Sequence, residues 1–236
     1  MSELAEPVGG RVGRRRPQLS DEVAGYIRGL VLSGQVRQRE HLRLERLANE
    51  LNTSMTPVRE ALVSLRRQGF VYLEPQRGYF VAPFSREDIF DLYAVQADVA
   101  GELAARAAER LTPEELARIV GIQDDLERSS ARGQFEATED LNYQFHRAIN
   151  LAAASRKLAW LVTTIVPYES RAFLELEGMR ESALIFHPPI VEALGHRSAD
   201  ESRQAMRAHI LNGGELTVAD FVAKGILDPP ADGRTP

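Results

Sequence analysis

Three of the five histidines stand in apolar stretches of the C-terminal half. "LNYQFHRAI" sets Asn142 and His146 four residues apart, on one face of a helix. "IFHPPIVEAL" supplies His187 and "AMRAHI" supplies His209. Neutral imidazole is the commonest transition-metal ligand, and three converging inside a helical bundle would hold Zn²⁺, Ni²⁺ or a similar ion. Each segment alone has too few donors, so the centre would need the folded bundle. Taken singly, each histidine is better explained as an isolated core or surface residue; three of five in apolar surroundings weigh against that. Three histidines with an open position are also the layout of a catalytic zinc. Against an enzyme, no general base stands out: Glu139 and Asp140 adjoin Asn142 but are read as lying on other helix faces.

A second constellation lies in "NTSMTPVREAL", residues 52–62. Pro57 has no N–H and a preset φ, so a helix tolerates it in its first turn and no deeper. The break is therefore a helix start, with Ser54 or Thr56 available to accept a bond from the free N–H groups. Val58, Ala61, Leu62 and Leu65 form the apolar face, leaving Met55, Thr56, Arg59 and Arg66 on the other. The second helix of a helix-turn-helix enters the major groove by its N-terminal residues.

Periodicity gives the elements that carry these residues. Residues 1–18, rich in Gly, Pro and Arg, read as a disordered basic arm. Ser20 can cap a first helix carrying Val23, Ile27, Leu30 and Val31 and stopped at Gly34. Leu44, Leu47, Ala48 and Leu51 mark a second, Asn52 and Thr53 a turn, and the helix at Pro57 a third, ending near Gly69. "FVYLEPQRGYFVA" gives two short strands around a turn. Three helices and a two-stranded wing make a winged helix-turn-helix over 19–84. Charge agrees: residues 1–84 hold 13 Arg against 9 acidic residues, whereas the remainder holds 16 basic against 25 acidic. A basic end on an acidic body suits a polyanion.

Ser85 caps the next helix, and residues 85–227 read as about six helical segments with no strand signal and no Gly-rich phosphate loop, a helical bundle. The fold class expected is mainly α. Residues 228–236 read as a disordered tail. There is no cysteine, hence no thiolate or disulfide chemistry. No apolar run of about 18 residues or more suggests a membrane span, and the N-terminus lacks a secretory signal. A cytoplasmic protein is expected.

"LERLANELNTSMTPVREALVSLRRQGFVYLEPQRGYFV" resembles the DNA-binding domain of the GntR family of bacterial transcription regulators. The resemblance implies that Ser54, Met55, Thr56 and Arg59 touch DNA and that the wing at Arg77 and Gly78 reaches the minor groove. Met55 stands where the family usually has Arg, and Gln38-Arg39 replace its usual Pro-Gly turn. The later histidine segments resemble the all-helical FCD ligand-binding domain of the FadR-like branch. That resemblance implies Asn142, His146, His187 and His209 as ligands of one divalent metal, Zn, Ni or Mn, which helps seat a small carboxylate effector. Gln96 and Ala100 stand where an Arg and a Glu are usual. Arg171 is a further candidate for gripping the effector, or else a surface arginine paired with Glu169 or Glu175.

The expectation is a homodimeric transcription regulator, a repressor, that binds a double-stranded operator and answers to a metabolite bound with metal. The alternatives are a metalloenzyme, or a DNA-binding dimer whose helical domain carries a vestigial site.

Overall fold

The computed structural model describes residues 19–165 and 178–228. The chain is mainly helical, with one small sheet. The expected arm, the tail beyond Asp228 and Arg171 lie outside the described residues.

Helix α1 (Leu19–Leu32) buries Val23, Ile27 and Val31. Ser20 lies inside its first turn rather than capping it; Asp21 and Glu22 supply the negative charge that the positive helix end favours. Helices α2 (Leu44–Glu50) and α3 (Met55–Arg67) follow, joined through Asn52 at φ 48. Ser54 takes the extended backbone of an N-cap, yet its hydroxyl makes no capping bond, and Thr56 lies within the helix. The start is instead set by Pro57, the third residue, where an N–H has no acceptor in the helix anyway. Val58, Ala61, Leu62 and Leu65 are fully buried, each large one stabilising by roughly 1.5–3 kcal/mol over exposure.

The wing has three strands, not two. Strand β1 (His41–Leu42) pairs antiparallel with β3 (Gly78–Val81), which pairs antiparallel with β2 (Val71–Glu74). A two-residue strand carries no alternation to read.

Six more described helices form the bundle: α4 (Arg86–Arg110), α5 (Pro113–Ala131), α6 (Phe135–Ala152), α7 (Arg156–Ile165), α8 (Met179–Gly195) and α9 (Ala199–Ala223). Capping boxes start α4 at Ser85/Asp88 and α5 at Thr112/Glu115, each pairing two otherwise orphaned N–H groups. Helix α8 runs through Pro188 and Pro189, so His187 lies within a helix that begins well before it. No described helix is long and apolar enough to cross a membrane.

Helices α4 and α9 meet almost backbone to backbone. A Cβ on Gly101 would stand 3.0 Å from the Arg203 carbonyl oxygen, and one on Gly214 would stand 2.9 Å from Cγ of Tyr93. The Tyr93 hydroxyl is fixed 2.8 Å from Thr217 Oγ1. Past its last turn, α9 touches the DNA head: Gln38 Nε2 donates to the Ile226 carbonyl (3.0 Å), and Gln38 Oε1 accepts from the Phe84 N–H (3.2 Å). Phe84 in turn lies 5.6 Å from the Phe221 ring. Arg39 sits at φ 64, the conformation a glycine would hold without strain. The Gln38-Arg39 departure thus builds a contact between the two parts of the chain.

Gly214→Ala is expected to lower stability, because overpacking against an immobilised ring costs about 1–3 kcal/mol and outweighs the helix-propensity gain of about 1 kcal/mol. Gly121→Ala in α5, with open space at its Cβ, takes only the gain and should raise stability. Urea unfolding of both variants checks the pair; equal shifts of the same sign would refute the packing account.

Candidate metal centre and nucleic-acid interface

Helices α6, α8 and α9 bring His146, His187 and His209 together, with one donor atom of each within 4.8 Å of the others. The Nε2 atoms of His146 and His209 are 3.1 Å apart. Two nitrogens bound to one ion at about 2.0–2.1 Å stand roughly 3 Å apart, so this spacing suits a shared ion. The rings of His146 and His209 are nearly parallel (5.0 Å), and the His187 ring meets both edge-on. Phe145 stacks on His187 at 4.0 Å. His187 is fully buried and His209 nearly so.

Three polar atoms here are buried without a hydrogen-bond partner among the described residues: Asn142 Oδ1, His187 Nε2 and His209 Nδ1. An unpartnered buried acceptor costs about 1–3 kcal/mol. A carbonyl oxygen and an imidazole lone pair are both metal donors, so the first two fit a divalent ion. Asn142 lies one helical turn before His146, on the same face. Glu139 shares that face, at spacings of three and seven, and is buried; the expectation that it points elsewhere is overturned.

Burial is the main cause that makes all three imidazoles weak bases. It pulls His146 down to about 4. His187 and His209 lie well below the usual histidine value, through burial first and then the neighbouring rings. The cluster is therefore neutral at neutral pH, the form that binds metal.

A cavity of ≈ 380 Å³ opens beside His146, walled by Gln96, Ala100, Val162, Met206 and Ile210. Gln96, the expected effector contact, is buried there. Arg147 and Asn150 also line it. The sequence reading missed both, though Arg147 adjoins a candidate ligand.

On the head, Ser54, Met55, Thr56, Arg59 and Arg66 are all exposed, and Met55 keeps 43% of its surface. Arg59 and Arg66 make no ion pair among the described residues. Arg77 is exposed at the wing turn, where it pairs with Glu74 and lies 5.3 Å from the Phe80 ring. Gly78 has a structural reason of its own: it sits at φ 100, and a Cβ would meet His41 Nε2 at 2.9 Å.

A winged helix-turn-helix with a bare groove-reading face, carried on a helical bundle, defines a DNA-binding transcription regulator rather than an enzyme. The chain belongs to the GntR family of bacterial regulatory proteins, whose model matches residues 19–81, and it carries an FCD domain, matched over residues 91–212. It is 24% identical over 211 residues to an uncharacterized HTH-type transcriptional regulator of Mycobacterium tuberculosis, covering 89% of this chain and 85% of that one. It is 27% identical over 184 residues to the Nta operon transcriptional regulator of Aminobacter aminovorans, covering 77% and 86%. The solved structure of Escherichia coli McbR/YncC shares the fold, with a TM-score of 0.63 at 19% identity over 87% of this chain and 100% of that one.

The weak basicity fixes a pH response. The unfolded chain's histidines take up protons below about pH 6.5, whereas folded His146 does so only near about 4. Between these values the unfolded state binds more protons, so stability falls with pH, by up to about 1.4 kcal/mol per unit for each such histidine. The urea midpoint of metal-free protein should drop between about pH 7 and about pH 5. An unchanged midpoint would show that these imidazoles are not buried neutral.

Proposed function

We propose that this GntR/FCD regulator is a homodimeric repressor whose head, residues 19–84, binds a double-stranded operator, and whose bundle, residues 85–227, senses a small metabolite seated with a divalent ion. The observation that carries the sensing half is the convergence of His146, His187 and His209, with buried Asn142 Oδ1 and His187 Nε2 lacking partners. The ion would be Zn, Ni or Mn, bound as a Lewis acid that draws in an anionic effector. Gln96, Arg147 and Asn150 give the adjoining cavity polar groups that complement a carboxylate, and its other walls are largely apolar. Repression fits a head whose groove-reading residues are exposed without help from the bundle.

Two-fold pairing would present two recognition helices to successive major grooves of a pseudo-palindrome. Helix α9 carries His209 at one point and leads into the contact with Gln38 beyond its end. A ligand that favours one packing of α9 thereby favours one placement of the heads. Linkage is reciprocal, so operator DNA must change effector affinity by the same factor.

His209→Ala should lose metal affinity and thermal stability together, because an ion that binds only the folded bundle stabilises it by mass action. His196→Ala is the matched control, its ring exposed and 4.0 Å from Glu201. His41 is no such control, since it stacks on Phe80 at 4.8 Å. Elemental analysis after reconstitution with Zn²⁺, Ni²⁺ or Mn²⁺ is the direct test; no bound metal in the wild type would leave the site vestigial.

Arg59→Ala should weaken operator binding by about 1–3 kcal/mol while circular dichroism stays unchanged. Gel-shift titration, repeated with a panel of organic acids on metal-loaded protein, measures this and the effector response. Undiminished operator affinity would remove Arg59 from the interface.

A further inference from the structure

Helix α5 contributes no ligand to the histidine cluster, yet it reaches the cluster through one side chain. Gln123 is buried, and its Oε1 lies 2.8 Å from His187 Nδ1. Its Nε2 lies 3.0 Å from Glu127 Oε1, one turn further along the helix. We propose that Gln123, oriented by Glu127, is a positioning residue that fixes the tautomer of His187 and so makes Nε2 its metal-donating atom. This rests on reading the triad as a metal centre.

The chemistry leaves one consistent assignment. A carboxylate has acceptors only, so the Gln123 atom facing Glu127 must be the NH₂ group, which donates. The opposite amide atom, facing His187, is then the carbonyl oxygen, which only accepts. His187 must therefore carry its proton on Nδ1 and donate it to Gln123. In a neutral imidazole the other nitrogen then holds the lone pair. That nitrogen, Nε2, is the buried atom without a hydrogen-bond partner among the described residues. Phe145 stacks on the ring at 4.0 Å with 9° between the planes, which fixes the ring plane, and the bond to Gln123 fixes which edge faces the other two histidines.

A plain buried-polar role for Gln123 would require only that its amide be satisfied. It would not leave the far nitrogen of its partner bare and beside two further imidazoles. A ligating histidine whose second nitrogen donates to a fixed acceptor is better oriented and more basic at the metal, and loss of such a partner typically weakens metal binding about 10–100-fold.

The test uses the full chain and Zn²⁺ alone, with two readouts. Chelator competition gives the zinc affinity of wild type, Gln123→Leu and Gln123→Glu. Long-range ¹H–¹⁵N correlation of the metal-free protein gives the His187 tautomer. Gln123→Leu is expected to bind zinc about 10–100-fold more weakly. Gln123→Glu, which keeps an acceptor at Nδ1, should stay near wild type. The wild-type His187 should carry its proton on Nδ1. Undiminished zinc affinity in Gln123→Leu, or a wild-type proton on Nε2, overturns the proposal. Should Gln123→Leu fail to fold, the wild-type tautomer and Gln123→Glu still decide it. A wild type that binds no zinc yet protonates His187 on Nδ1 sinks the metal reading and leaves the tautomer assignment standing.

Discussion

Helices α4 and α9 press together at their glycines, and the bundle is arranged around that closeness. A Cβ on Gly101 would meet the Arg203 backbone, and one on Gly213 or Gly214 would meet the Tyr93 side chain, so this contact has no room for larger residues at those positions. The approach lets Tyr93 lie over the Gly213–Gly214 backbone and bond Thr217. It also aligns Arg203 with Glu102 at 3.1 Å. That pair is half-exposed and adds little energy by itself. Its value lies in register: it holds α9 at one height along α4, and with α9 the height of His209.

Register matters because the histidine cluster has no electrostatic slack. Two buried imidazoles and a half-buried third must all stay neutral, and the bare nitrogens of His187 and His209 and the Asn142 oxygen are a standing cost. A core tolerates such a cost when a ligand relieves it in one state of the molecule. The DNA head is the opposite case. Its core-facing apolar residues are buried and its groove-facing polar residues exposed, with Arg77 drawn onto Phe80 and Glu74 rather than left free.

How much of this could be read from sequence depended on the range of the interaction. The helix at Pro57 was legible because proline's constraint is local. The bundle segments were legible because their breaks fall at Pro113, Gly133 and Gly178. The histidines could be nominated by type and apolar context, and the i, i+4 spacing of Asn142 and His146 placed both on one face. What could not be read was anything fixed between distant segments. Gln123 lies 64 residues from His187, and no local pattern marks it. Strand β1 is too short to alternate and exists only because β3 offers it an edge. Glu139 was legible in principle, since spacings of three and seven define one face. Ser20 and Ser54 fit the capping pattern by type, but the helix starts were settled by position and backbone instead.

The bond from Gln38 to Ile226 spans 188 residues, and that distance is also an interval of time. The head can complete its own core once Val81 has been made, since its buried residues run from Val23 to that strand. Its seat on the bundle, at Ile226, is synthesised well after that strand. At roughly 5–20 residues per second, a nascent chain carries a finished DNA-binding head for on the order of ten seconds or more before that seat exists. Premature termination anywhere in that window would release a folded head with nothing to hold its orientation. In each new copy the head is thus complete before the contact that orients it.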